Sequence, residues 1–294
     1  MGKEWRNILK QVDIRRVVER IQNLPTLPIV VSQILRLVGD DESSAHDVQE
    51  ILRRDQSLTF KILKIVNSSF YGYAGKIRDL QHAVVILGFD TIKSVALSAT
   101  IFSTFPNGKR GRFDREAFWR HSIAVAVASR KLAQELKITS FEEAFVGGIL
   151  HDIGKVVLDE YASELFEEVL TYVEEKKVLM YEAERAVCGF SHAQIGRWIA
   201  AKWALPQEYV DVIFYHHQPG NAQKATQLTA IVHLGDIIAR SLKIGSGGDD
   251  CIPPIDPSSL KILSLSEETI KKVIIELPAE FEKADLFAQM SSSD

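Results

Sequence analysis

Apolar positions recur at three- and four-residue spacing along almost the whole chain, and alternating runs of the strand type are scarce. That periodicity predicts an all-α fold. In the stretch from Leu58 to Phe70, Leu58, Ile62, Ile65 and Val66 form one apolar stripe, with Ser57 placed to cap the helix. Upstream, Leu24, Pro25, Thr26, Leu27 and Pro28 read as a rigid joint between an opening helix and one starting near Ile29. Ser44 with Asp47 resembles a capping box for a helix running to Arg54. Asp79 and Asp90 are each placed to cap a further helix, with Gly88 as the stop between them. The run REAFWRHSIAVAVASRKLAQEL, behind Asp114, predicts one long helix, and Ser140 with Glu143 gives a second capping box before AFVGGILHD. Helices through Glu174, Glu184, Trp203, Tyr215 and Ile238 follow, punctuated by Gly189, Pro206 and Pro219.

Two breaks organise this pattern. PNGKRGR (Pro106 to Arg112) holds turn formers and basic residues that pack poorly. Lys109, Arg110 and Arg112 are able to touch a phosphate, but three charges in a turn suit a solvated linker better. GSGGDDCIPPIDP (Gly245 to Pro257) reads as a second linker. The expected units are a helical N-terminal part (1–105), a helical core (113–244) and a C-terminal helical extension (258–294) broken at Pro278 and ending in a frayed SSSD. Leu97, Ile101 and Phe102 carry an apolar face up to the first break, so the first two units are expected to share an interface.

Composition narrows the class. The 294 residues are 46% hydrophobic and 25% charged, which excludes disorder and a disulfide scaffold. With 35 Lys and Arg against 39 Asp and Glu, the net charge of -4 argues against a dedicated nucleic-acid binder. The two cysteines, Cys188 and Cys251, form no Cys-x-x-Cys pair, so no thiolate metal site is expected and a reducing compartment is. No signal core and no membrane-spanning apolar run are visible, and a cytoplasmic location is expected.

The candidate chemistry lies in the second unit. His151 and Asp152 are adjacent, and neighbours on a regular helix point about 100° apart. They converge on one point only where a helix ends, and Gly154 is placed to end it. His216 and His217 are set at a helix terminus by Pro219, and His192 follows Ser191 at a helix start. His121 and Asp236 sit inside long apolar helices, where a polar group is costly unless paired or coordinated. Imidazole and carboxylate donors without thiolate suit Fe, Mn, Ni or Zn. The seven residues His121, His151, Asp152, His192, His216, His217 and Asp236 exceed the needs of one ion, so one or two divalent transition-metal ions are expected, with Asp152 between them. Such a pair activates a bridging water for attack on a phosphate ester. Asp152 and Lys155 are the expected catalytic residues: Lys155, one turn past His151, either meets a phosphate oxygen or is a snorkelling surface lysine. His233 shares a face with Asp236 and is read as packing, as are Cys188 and the stripe Phe113, Phe118 and Trp119. Tyr71 and Tyr73, near NSSFYG, line either a partner groove or a packed turn.

HDIGK (His151 to Lys155), with His121 before it and Asp236 after it, resembles the HD superfamily of metal-dependent phosphohydrolases. SHAQIG around His192 and the pair His216 and His217 are similar to the HD-GYP branch, which implies a site of two or three metals and hydrolysis of cyclic di-GMP. The sequence departs from that branch after the pair, reading HHQPGNAQK without the GYP loop. LPTLPIVVSQIL (Leu24 to Leu35), ILRRDQSLTFKILKIVNSSFYG (Ile51 to Gly72) and AVVILGFDTIKSVALS (Ala83 to Ser98) resemble the HDOD family, over about Ile21 to Leu242. That resemblance implies an all-helical module of bacterial signalling proteins, with other signalling proteins or a small nucleotide as partners. Two functions follow: a regulatory module with a retained metal site, or a metal-dependent phosphohydrolase acting on a nucleotide or cyclic dinucleotide.

Overall fold

The computed structural model describes residues 45–284 except 53–54, 74, 106–110 and 139–140, together with Leu27, Ile29, Ser32, Gln33 and Phe287. In chain order the helices are α1 (Ala45–Leu52), α2 (Gln56–Val66), α3 (Leu80–Leu87), α4 (Phe89–Thr104), α5 (Arg115–Glu135), α6 (Phe141–Leu150), α7 (Ile153–Tyr161), α8 (Ser163–Lys176), α9 (Met180–Val187), α10 (His192–Lys202), α11 (Gln207–Tyr215), α12 (Thr226–Ser241), α13 (Pro257–Leu263) and α14 (Glu267–Lys283). None of the described residues lies in a β-strand, as the periodicity predicts. Nor, among them, is any helix long and apolar enough to cross a membrane.

Helix α5 is the axis of the molecule and packs against α6, α12 and α14. It is buried on every face from His121 to Ser129, and its Ala and Ser residues let neighbouring backbones come close. At the α6 crossing a Cβ on Gly148 would stand 2.4 Å from the Ala126 Cα, so only glycine permits this approach. The N-terminal helices join the same core: Phe102 meets Trp119 at 5.0 Å, Phe105 meets Trp203 at 5.9 Å, and Phe70 packs on Phe145 and Phe287. The NSSFYG turn is itself packed. The Asn67 amide donates to the carbonyls of Leu63 and Ile77 and accepts from the Ile77 N–H, while Arg130 lies 4.8 Å over the Phe70 ring.

Several local expectations are corrected. Helix α2 is capped by Asp55, whose carboxylate accepts from the Leu58 N–H at 2.9 Å, and Ser57 falls inside the first turn. The carboxylate two residues upstream reaches the free N–H groups first. Asp90 caps nothing: Gly88, at φ +83°, ends α3 and starts α4 in one step, leaving Asp90 in the first turn beside Lys93. Pro278 does not break the last helix. It sits exposed within α14, while Val273, Leu277 and Phe281 are buried, and this apolar face holds the helix across the missing hydrogen bond. The caps at Ser44 and Ser140, the final SSSD and all of the LPTLP joint but Leu27 lie outside the described residues.

Candidate metal centre

The His151–Asp152 doublet occupies the two-residue corner between α6 and α7, so the chain turns there as the doublet requires. Gly154 is not the stop, since it lies in the first turn of α7. A Cβ on it would stand 2.0 Å from the His192 carbonyl oxygen, so the glycine lets α7 press against the start of α10 and brings His192 to the doublet. His192 is the first residue of α10, where the Ser191 N–H donates to the Gln194 side chain. His216 and His217 follow the last turn of α11. His121 reaches in from the middle of α5 and Asp236 from α12.

The structure brings all seven side chains together. The Asp152 carboxylate is fully buried and its two oxygens face different groups. Oδ1 lies 3.0 Å from His192 Nε2 and 3.5 Å from His216 Nε2. Oδ2 lies 3.3 Å from His151 Nε2 and 4.0 Å from His121 Nε2. His217 Nε2 stands 3.0 Å from His192 Nε2, and Asp236 Oδ1 stands 3.1 Å from His121 Nε2. Two donor sets result, each compact enough for one ion: Asp152 with His192, His216 and His217, and Asp152 with His121 and His151. Neighbouring donors near 3 Å apart match ligands about 2.1 Å from a common centre.

The outer contacts fix which nitrogen faces inward. His151 Nδ1 lies 2.7 Å from the Gly148 carbonyl and His216 Nδ1 3.0 Å from the Ile213 carbonyl. A carbonyl only accepts, so each Nδ1 carries the proton and each Nε2 presents its lone pair to the centre. Glu184 does the same for His192, its Oε2 accepting from both the backbone N–H at 2.8 Å and Nδ1 at 2.7 Å. His121 Nε2, His151 Nε2 and Asp152 Oδ1 are buried without a hydrogen-bond partner. The Nε2 atoms of His192, His216 and His217 lie 3.0 to 3.4 Å apart, and the inward lone pairs of His192 and His216 repel unless something positive lies between them.

Burial pushes the pKa of His121, His216 and His217 down, that of His216 to about 4, which leaves these imidazoles neutral and able to donate. His192 is the exception, since Glu184 and Asp152 outweigh its burial and draw its pKa up. Burial also opposes ionisation of Asp152 and Asp236. The surrounding His151, Lys155 and His192 for the first, and Arg240 and His121 for the second, outweigh it and hold both well below the usual carboxylate range.

Lys155 is buried, not a surface lysine: its ammonium donates to Asp152 Oδ2 at 2.6 Å and to the Gly247 carbonyl at 2.9 Å. That carbonyl belongs to Gly245–Pro257, which is no loose linker but a strap laid over the centre. Asp249 holds it, accepting from Arg240 at 2.9 Å and from the Met180 N–H at 3.0 Å. His233 joins strap and centre, its Nδ1–H donating to the His216 carbonyl and its Nε2 accepting from the Asp256 N–H. The packing role read for it is therefore that of a brace behind His216. Sequence reasoning missed Glu184, Arg240 and Asp249. Glu184 is an acid on the face of α9 that carries Met180 and Val187, and Arg240 lies one turn after Asp236, spacings that were available as signals. Asp249 had none, because its partners come from distant segments.

Comparison with known proteins agrees with this architecture. The HDOD domain profile matches residues 24–219. An uncharacterized protein of Treponema pallidum is 23% identical over 272 residues, 90% of this chain and 51% of its own length, so the chain spans about half of that relative. The crystal structure of an HDOD domain protein from Geobacter sulfurreducens superposes with a TM-score of 0.77 at 24% identity, covering 95% of this chain and 97% of its own. A Shewanella amazonensis protein, provisionally described as a phosphohydrolase, superposes with a TM-score of 0.73 at 20% identity, covering 94% and 98%. With its profile matched over more than half of its length, the chain belongs to the HDOD domain family.

Proposed function

We propose that this chain is a signalling module whose centre holds one or two divalent transition-metal ions (Fe, Mn, Ni or Zn) and, once loaded, binds a phosphate ester. The observation that carries the reading is the division of Asp152, one oxygen to each donor set, among buried Nε2 atoms, those of His121 and His151 having no hydrogen-bond partner. His192, His216 and His217 would hold one ion, His121, His151 and Asp236 the other, with Asp152 shared. The donor chemistry fits such ions, being imidazole and carboxylate with no thiolate.

A second reading, hydrolysis at the same centre, is favoured by Lys155. A buried ammonium against the shared carboxylate is a positive charge beside the centre that would help neutralise the phosphate of a bound ester. Bound ions would supply a lowered pKa for a coordinated water and charge neutralisation of the phosphate. The residues do the remainder. Glu184 keeps the His192 ring in place, Asp236 balances Arg240, and Gly247 through its carbonyl holds Lys155 at Asp152.

The test is elemental analysis of protein purified without chelator, with phosphate release from phosphomonoesters and phosphodiesters measured alongside. The wild type is expected to carry Fe, Mn, Ni or Zn, and Asp152→Ala to lose most of it, since the shared carboxylate belongs to both sets. Equal metal in the two proteins, or none in either after metal-replete purification, sinks both readings. Metal with ester binding but no phosphate release leaves the signalling reading and removes the hydrolytic one.

A further inference from the structure

Beside the centre, between α9 and the strap, lies a cavity of about 190 Å³. Its floor is His192, His217 and Lys155, members of the centre itself. Leu179, Met180, Tyr181, Pro253 and Pro254 give it an apolar wall, and Glu182, Gln218, His233, Arg240 and Asp249 also line it. We propose that this cavity receives the organic group of the phosphate ester, and that the group is one flat ring system of nucleobase size. This rests on the reading of the centre as a phosphate-ester site and narrows the ligand to a nucleoside monophosphate or a comparably small aryl phosphate.

Three observations carry it. The first is size. A benzene ring fills an engineered apolar cavity of about 150 Å³, so this one has the volume for a single ring system. The second is wall chemistry. Tyr181 packs against His217 at 4.5 Å between ring centroids, and the Arg185 guanidinium lies 5.0 Å over its ring, so the aromatic wall is held in place. Proline rings and a thioether complete a lining that stacks on a flat π-face whatever its edge carries. The third is preformation. The strap is anchored on both sides of its prolines, at Cys251, whose carbonyl accepts from Arg240 at 3.0 Å, and at Asp256, whose N–H donates to His233 at 2.9 Å. Proline fixes its own backbone and has no N–H to satisfy, so the wall stands before any ligand arrives.

The other side of the strap differs. There a cavity of about 380 Å³ reaches His121; it shares Arg240 and Asp249 with the first, but has Lys243 and Asp250 and lacks the tyrosine and proline wall. The strap thus separates an approach to the His192 set that has an aromatic and proline wall from an approach to the His121 set that lacks one.

Calorimetric titration of the manganese-loaded full chain with AMP, methyl phosphate and cyclic di-GMP tests this. Methyl phosphate reports the centre alone, and AMP adds the ring. AMP is expected to bind about tenfold more tightly than methyl phosphate, and Tyr181→Ala to remove that advantage when the two proteins are compared at equal metal occupancy, since Tyr181 packs on His217. Tyr181→Phe, which keeps the ring, should retain AMP affinity, and Lys243→Gln on the charged side should alter neither ligand. Equal affinities for AMP and methyl phosphate in the wild type, or cyclic di-GMP binding more tightly than AMP, would overturn the proposal while the centre stands. So would equal loss of both esters in Tyr181→Ala, or AMP affinity moving with Lys243 and not with Tyr181. Failure of both AMP and methyl phosphate to bind the loaded protein overturns the phosphate-ester reading, and this inference with it.

Discussion

Glu184 shows how much of the centre depends on a residue that need not touch an ion. One oxygen of its carboxylate holds both the backbone and the ring of His192, fixing the first turn of α10 and the imidazole together. Removing the charge weakens that hold, because an amide oxygen is a poorer acceptor than a carboxylate. Glu184→Gln is therefore expected to weaken metal binding about 10- to 100-fold with little change in helix content, the range found for such outer hydrogen bonds. Competition titration against a coloured chelator, with far-ultraviolet dichroism alongside, measures both. Unchanged metal affinity would show that packing alone holds His192. The seven inward residues were legible in sequence because histidines and aspartates in long apolar helices, or at helix ends, demand a partner. Lys155 was ambiguous for the same kind of reason: a lysine reads as exposed until the Gly247 carbonyl that receives it is seen.

At the scale of elements, the centre is assembled by junctions more than by helices. The α11–α12 junction is held by Asp211, whose Oδ2 accepts from the N–H groups of Gln223, Lys224 and Ala225 at 2.8, 2.6 and 3.2 Å, with Gln207 donating to Oδ1 at 3.0 Å. Since α12 has no side-chain cap of its own, Asp211 serves its N-terminus from the neighbouring helix and so ties His216 and His217 to the helix bearing Asp236. Burial of Asp211 opposes its ionisation, but these N–H donors outweigh it and hold its pKa below the ordinary value. A carboxylate depressed in the folded state contributes stability that is fully present above its unfolded pKa and lost as pH falls through the folded one. Asp211→Asn should thus cost about 2 kcal/mol at neutral pH, and the gap to wild type should close below about pH 4. Urea midpoints of the two proteins between neutral pH and pH 3 check it, and a gap independent of pH would refute the charge argument. None of this was visible from α11 alone, because the acceptor and its donors are separated by a proline-containing turn whose path only packing sets.

Over the whole molecule, one hydrophobic cluster runs from Leu27 and the N-terminal helices through α5 to Phe281 and Phe287. The rings Phe70, Phe145 and Phe287 bring three distant segments into mutual contact, and Arg130 lies over Phe70, Tyr71 and Phe141. Shared core of this kind couples unfolding, so a single cooperative transition is expected, with the fluorescence of the buried Trp119 and Trp203 and the helical dichroism falling at one midpoint. Two separated midpoints would mean that the N-terminal helices melt on their own. Metal should raise that midpoint in the wild type and not in Asp152→Ala, because a ligand bound to the folded state alone stabilises it by mass action.

The sequence by itself determined the helical class, the long central helix, the helix ends at His192 and His216, and the identity of the seven inward residues. These follow from local rules: a 3.6-residue period, glycine and proline stops, and the cost of burying an unpaired polar group. Only the tertiary structure decided that Asp55 and Gly88 begin their helices, that Pro278 is carried within α14, and that Gly154 serves contact with His192 instead of ending a helix. It alone decided that Gly245–Pro257 is a strap, because glycine- and proline-rich composition describes a solvated linker and a packed one equally well. The difference lies in the partners of Asp249, Asp256 and Gly247, which are Arg240, Met180, His233 and Lys155. Those contacts span up to 92 positions along the chain, and no local pattern encodes a bond whose two ends meet only after the helices have packed.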